Sequence, residues 1–154
     1  MKSIIYNWGQ FPKILCDEYH VTNYTDIINI VKTKDYIIAR GNGRCYGDAS
    51  LAKNIISTLY LNKILSFNEI NGVICCQAGV ILDDILKEIV PKGFFLPVTP
   101  GTKFITVGGA LASDIHGKNH HIEGCFSECI KELNVMLPNG EIKSCVKGDD
   151  LFHA

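Results

Sequence analysis

No stretch of this sequence approaches the roughly 18 to 20 consecutive apolar residues that carry a helix across a bilayer. The opening Met1-Lys2-Ser3-Ile4-Ile5-Tyr6-Asn7-Trp8 has one charge and no apolar run of signal-peptide length. No basic block stands out: Lys+Arg 15 against Asp+Glu 16 leaves a formal net charge of −1. Electrostatic capture of nucleic acid or of an anionic membrane surface therefore has nothing to support it. The 7 cysteines are odd in number and none has C-x-x-C spacing. Free thiols in a reducing cytoplasm are the expected state, rather than a disulfide framework. In that compartment the Asn23-Tyr24-Thr25 sequon is expected to carry nothing.

What is present fits one globular domain. The 154 residues are 47% hydrophobic and 20% charged, enough for a single core and too few for two comfortable ones. Asn23-Tyr24-Thr25-Asp26 predicts a helix start, followed by Ile27, Ile30, Val31 and Lys34 at helical spacing. Buried strands are predicted at 36–39 and 55–61. Strands at 64–69 and 73–77 flank Asn71-Gly72, a hairpin signal because both residues tolerate positive φ. Ile81, Leu82, Ile85, Leu86, Ile89 and Val90 form one helical face that stops before Pro91 and Gly93. A further strand is expected at 94–98, a small-residue turn at 106–114, and a hairpin at 130–137 and 142–146 around Pro138-Asn139-Gly140. The predicted order is β-α-β, hairpin, helix, small-residue turn, hairpin, hence α+β with no room for a regular doubly wound sheet. Asp149-Asp150 looks like the start of another element, so the domain is expected to be incomplete at its C-terminus.

Two clusters carry the chemistry. The first, Ala39-Arg40-Gly41-Asn42-Gly43-Arg44-Cys45-Tyr46-Gly47-Asp48-Ala49, directly follows a predicted strand. Glycines let backbone N–H groups converge on an anion, and two arginines suit a pyrophosphate. The spacing is G-x-G-x-x-x-G with no convincing helix after it and no acidic residue some 20 positions on, so a Rossmann dinucleotide unit is excluded. An ordinary tight surface turn is the plainer alternative. The second cluster is Pro100-Gly101-Thr102, then Thr106-Val107-Gly108-Gly109-Ala110-Leu111-Ala112-Ser113-Asp114-Ile115-His116-Gly117-Lys118-Asn119-His120-His121. If Gly108 and Gly109 open a helix, its N–H groups favour phosphate; tight helix packing explains the small residues equally well. Packing does not explain the histidines crowded behind them. His116, His120, His121, Cys125 and Cys129 are also possible metal ligands, but their spacings match no standard zinc pattern and no metal is expected. A Cys–His nucleophilic pair is weaker still, since most of the cysteines lie in apolar or strand-like settings.

Together the clusters are more specific than either alone. The run A-R-G-N-G-R-C-Y-G-D, followed by P-G-T-x-x-x-T-V-G-G-A-x-A-x-D-I-H-G-K-N-H-H, resembles the vanillyl-alcohol-oxidase, or p-cresol methylhydroxylase (PCMH), type of FAD-binding domain. The I-H-G-K-N-H-H stretch narrows the likeness to the subgroup acting on a polyprenyl-phosphate ribose. The resemblance runs from about Tyr36 to the end. It implies a β-α-β subdomain over about 20–80 and, over about 81–154, part of a second mixed or antiparallel α+β subdomain, with the substrate domain absent.

Position by position, the resemblance implies that residues 39–49 hold the FAD pyrophosphate by their backbone. Gly101, Thr102 and Thr106 to Gly109 would form the second wall. Ser113, Asp114, Ile115, His116 and Gly117 would run beside the flavin, with His116 and Lys118 on the substrate side. No catalytic residue is otherwise assigned. Many members attach FAD covalently through a histidine, where this chain has Tyr46, or a cysteine, where it has Thr102. FAD is therefore expected to be non-covalent, although a register error of one residue would bring Cys45 into question.

The implied activity is hydride transfer from the CH–OH group of a sugar or polyprenyl-phosphate sugar, in cell-wall polysaccharide synthesis, with a partner reductase as a further candidate. This fragment alone is expected to have no turnover. The alternatives are a non-catalytic scaffold or interaction remnant, a fragment of a sugar-lactone or alditol oxidase, and a small metal-binding domain.

Overall fold

Two of the β-branched runs, at 38–40 and 54–57, form neighbouring strands of a four-stranded sheet in the computed structural model, which describes residues 2–152. The strands are β1 (Lys2–Ile5), β2 (Ile14–His20), β3 (Ile38–Arg40) and β4 (Asn54–Ser57), in the order β1-β2-β4-β3. β1 pairs antiparallel with β2, whereas β4 lies parallel to both β2 and β3. β2 therefore crosses to β3 through helix α1 (Tyr24–Val31), the expected β-α-β unit. Asn23 caps α1, its side chain accepting from the Asp26 N–H at 2.9 Å.

Alternation along β4 decides which core each residue joins. Ile55 packs with Cys16 and Ala52 on one face of the sheet, and Ile56 packs with Val21 and Leu61 beneath α1 on the other. The sheet thus begins at residue 2. The boundary expected near residue 20 falls inside it, because β1 and β2 precede the two glycine clusters that carry the family resemblance.

A third core forms around helix α2 (Leu82–Ile89), which buries Leu82, Ile85 and Ile89 as its apolar period predicts. Pro91 and Gly93 end it in a short 3-10 turn, with Gly93 at φ 84°. The hairpin of β5 (Ile64–Asn68) and β6 (Val73–Cys76) packs on this core through Ile64, Phe67 and Ile74. The hydrophobic cores consequently divide between Leu61 and Ile64, not near residue 80. The hairpin turn is longer than the two-residue Asn71-Gly72 reading. Only Gly72 has positive φ, and the Asn68 side chain accepts from the N–H groups of Ile70 and Asn71.

Two expectations fail here. Residues 94–98 form no strand, although their side chains alternate and Val98 is fully buried. Pro97 has no N–H to give a ladder, and its carbonyl is taken by the Asn119 side chain at 3.0 Å. The small-residue turn is instead a helix, α3 (Val107–Ala112), which Thr106 caps by accepting from the Gly109 N–H at 3.2 Å. Helix α4 (His120–Glu123) and a hairpin of β7 (Glu132–Met136) and β8 (Ile142–Val146) follow. The tip of that hairpin returns to the first layer, where Gly140 lies against Ile28 and Lys32 of α1. A 3-10 turn at Asp150–Phe152 then ends the described chain. Among the described residues, no helix is long and apolar enough to cross a membrane.

Gly79 lies between the core that holds Leu61 and the core around α2. A Cβ there would overlap the Thr58 carbonyl and approach that of Leu61, both backbone atoms that cannot swing away. Gly79→Ala is expected to cost about 1–3 kcal/mol in chemical denaturation. Gly101→Ala, which meets nothing within 4 Å, should stay within about 0.5 kcal/mol of wild type.

Candidate functional site

The first glycine cluster is the crossover from β3 to β4. Adjacent parallel strands need a connection of about a dozen residues, and ligands of open α/β sheets gather where such loops leave the carboxyl ends of strands. Here the connection carries no helix. Gly43 holds φ 60°, and none of the backbone N–H groups from Gly41 to Gly47 donates to a protein acceptor among the described residues. None of these residues is buried, so water can satisfy the donors until a ligand replaces it. A row of outward N–H groups is suited to an oxyanion with many acceptor oxygens, such as a diphosphate.

The second cluster reaches this loop. A Cβ on Gly41 would overlap Thr106 Oγ1, the side chain that also caps α3. The Asn42 amide donates to the Phe104 carbonyl at 2.8 Å, and the Arg44 guanidinium lies 6.0 Å from the Phe104 ring centre. The two clusters, some fifty positions apart in sequence, therefore lie against one another. Lys103 and Asp83 fix the second wall from behind. The Asp83 N–H donates to the Lys103 carbonyl at 3.0 Å, and its carboxylate pairs with Lys103 at 2.6 Å and with Lys87 at 2.7 Å. Hydrogen bonds from Lys103 and then Lys87 hold the Asp83 carboxyl below the ordinary aspartate range.

The start of α3 does not offer its N–H groups to a ligand. Val107 donates to Val80 O and Gly108 to Ala78 O, both at 2.8 Å, and Gly109 is taken by Thr106. Gly108 is small because it packs on Ala78, whose Cβ would lie 3.0 Å from an added one. Close packing on Ala78 accounts for Gly108, and the Gly109 N–H is used by the Thr106 cap. Residues 113–117 are similarly tied elsewhere. Asp114, at φ 37°, accepts from the Ser127 N–H at 2.9 Å, and Gly117 is pressed against the Thr99 carbonyl.

His116 is exposed, bridges to Cys125 through the backbone, and stacks edge-on to His120 at 5.2 Å, with His121 6.0 Å beyond His120. Lys118 is exposed and makes no ion pair among the described residues. Among the described residues, no three His, Cys, Asp or Glu side chains converge as metal ligands. Burial raises the Cys16 and Cys129 thiols above their ordinary value and pushes Cys76 to about 11, so these three stay protonated near neutrality. Cys45 lies 3.3 Å from Ser50 Oγ, Tyr46 is 79% exposed, and the Thr102 hydroxyl accepts from Phe104 N–H.

A third wall escaped sequence reasoning. Residues 6–10, between β1 and β2, face Arg40 and residues 42–44 across an open cavity of about 740 Å³. Asn7, 2% exposed, donates to the Gly47 carbonyl at 2.8 Å and accepts from Ser50 Oγ at 2.9 Å and Arg40 at 3.4 Å. Arg40 also donates to the Tyr6 carbonyl at 2.8 Å, so its guanidinium is largely spent on holding loops together. The available signal was Asn7-Trp8-Gly9, a polar, aromatic and glycine run that fits neither neighbouring strand.

A cradle of free backbone donors at the end of parallel strands, closed by a second loop, defines a module for a phosphate-bearing cofactor. The comparisons specify which. A family model described as an FAD binding domain matches residues 20–146, and the chain belongs to that family, with the PCMH-type fold and FAD as its cofactor. The chain is 41% identical over 125 residues to decaprenylphosphoryl-beta-D-ribose oxidase of Mycolicibacterium smegmatis, covering 77% of this chain and 27% of that protein. It is 38% identical to D-lactate dehydrogenase of Anaerostipes hadrus over 57% of this chain and 18% of the relative. A putative D-arabinono-1,4-lactone oxidase of Neurospora crassa is 26% identical over 93% of this chain and 26% of its own length. The chain thus spans roughly a quarter or less of the length of these relatives.

Gly41→Ala should displace Thr106, lower stability by about 1–3 kcal/mol and weaken FAD binding at least about tenfold. Gly47→Ala has open space and should leave the apoprotein within about 0.5 kcal/mol of wild type in the same denaturation measurement. The lowered Asp83 carboxyl gives a second expectation. Its contribution is present above the ordinary aspartate value of about 3.9 and is lost as pH falls through the lower folded value. The melting-temperature gap between wild type and Asp83→Asn should therefore be full at about pH 6 and shrink below about pH 4.

Proposed function

We propose that this chain is the FAD-anchoring part of a flavin oxidoreductase that oxidises a CH–OH group of a sugar or polyprenyl-phosphate sugar. The unpartnered N–H row from Gly41 to Gly47, opposite Thr106, carries the reading. In it, residues 39–49 receive the diphosphate through their backbone, and Arg44 supplies a charge-assisted donor that Arg40 cannot. Thr102 and Thr106 close the far wall. His116 and Lys118, exposed and without acidic partners, lie on the substrate side, where Lys118 would orient an anionic sugar phosphate.

FAD, when bound, supplies the electron sink for the oxidation. The chain contributes position, charge and exclusion of water from the diphosphate, and turnover belongs to the whole enzyme. Likeness to decaprenylphosphoryl-beta-D-ribose oxidase supports a polyprenyl-phosphate ribose as the substrate class, and likeness to the arabinono-lactone oxidase supports sugars more broadly. The electrons would pass to an acceptor outside this chain, and a partner reductase is a separate candidate. Attachment is non-covalent, because Tyr46 and Thr102 stand where a histidine or cysteine link would form.

Incubating the purified chain with FAD and removing free cofactor by gel filtration tests the reading. Flavin absorbance should travel with the protein, and acid precipitation should release all of it to the supernatant. A yellow pellet would point to a covalent bond and overturn the non-covalent assignment. A colourless protein peak would leave the scaffold reading in its place.

A further inference from the structure

We infer that the segment Tyr6–Gln10, which precedes the region matched by the family model, is part of the FAD site: Asn7 sets the shape of the glycine loop and Trp8 forms an aromatic wall beside the bound cofactor. The inference rests on the FAD reading above and adds residues to it.

Three observations carry it. The segment lines one side of the cavity whose other side is Arg40 and residues 42–44, the start of the N–H row. Its backbone and side chains bond the loop directly and repeatedly. Asn7 bridges Gly47, Ser50 and Arg40, and the Trp8 N–H donates to the Cys45 carbonyl at 3.1 Å. Gly9 packs so closely on the Tyr46 carbonyl that a Cβ would lie 2.6 Å from it. These bonds engage loop carbonyls and side chains and use none of the loop N–H groups.

The third observation is exposure where packing would predict burial. Trp8 is 60% exposed, and its ring meets exposed Tyr46 edge-on at 5.6 Å. An indole held by its own backbone at a cavity rim, with most of its surface unused, offers a ring face to a planar ligand. Asn7 is 2% exposed with its side chain committed to Gly47, Ser50 and Arg40, so it is a positioning residue; Trp8 is placed as a contact.

Trp8 is also the protein's only tryptophan, so its emission reports this wall alone. ADP shares the diphosphate but does not absorb the emitted light. Saturating ADP should shift Trp8 emission in the wild-type chain. Trp8→Ala should weaken FAD binding roughly tenfold, within the range for losing an aromatic stacking partner, and Trp8→Phe should restore it to within about threefold. Asn7→Ala should weaken FAD binding while Asn7→Ser, which keeps a donor and an acceptor, recovers part of it.

Trp8 is exposed, so its variants should fold even if Asn7→Ala does not. FAD affinity unchanged in Trp8→Ala, or Trp8 emission unmoved by ADP that is shown to compete with FAD, overturns the inference while leaving the FAD reading standing. Failure of the wild-type chain to bind FAD removes both.

Discussion

At Gly41 the first glycine loop touches Thr106 where a Cβ would not fit, and the geometry of the whole cleft follows from that contact. Thr106 is buried, and its hydroxyl oxygen already accepts from Gly109 to start α3. The side chain therefore cannot swing away without uncapping the helix. The loop must approach a fixed oxygen, and only a residue without a side chain can do so. The contact also joins the four-stranded sheet to the core around α2, since Gly41 leaves the sheet while Thr106 introduces the helix packed on α2. A ligand between these loops would touch both layers, and its binding would be linked to their docking.

The division of labour between two neighbouring arginines follows from the same crowding. Gly43 has no side chain, so the Arg40 guanidinium can pass beneath it to Tyr6 and Asn7. Arg40 Nε is buried there without a partner, a cost the loop bears in exchange for being fastened to the N-terminal segment. Arg44, exposed and resting over Phe104, keeps its donors free. Two residues of identical chemistry in one motif thus act differently, because one points into the scaffold and the other out of it.

Sequence made the helices legible where capping and period agreed. Asn23 with Asp26 gives the start of α1, which ends at Val31 short of the expected Lys34, and Leu82, Ile85 and Ile89 with Pro91 beyond give α2 nearly to the residue. It misled where composition served two physical purposes. Gly108 and Ala110 read as a turn open to phosphate because small residues suit both close ligand approach and close packing; only the partner, Ala78, tells them apart. Phe94 to Val98 alternates like a strand, yet alternation specifies side-chain burial and not a hydrogen-bonding neighbour. β1 and β2 went unread because their turn carries no Asn-Gly signal, and the role of Asn7 exists only once Gly47 and Ser50 are brought beside it.

The free N–H row and the bonded carbonyls are two sides of one arrangement. A loop whose carbonyls and side chains were also loose would collapse onto its own donors, forming turns that satisfy them internally. Asn7 at Gly47, the Trp8 N–H at Cys45 and Thr58 at the Arg40 carbonyl hold the backbone by its acceptors and prevent that collapse. The donors are then left to water in the open cavity, a state that costs little until an anion with better geometry replaces it. Preorganisation of this kind places the conformational cost in folding and not in cofactor capture. It also explains why the glycine motif alone is a weak signal: the same glycines without Asn7 and Thr106 would be an ordinary turn.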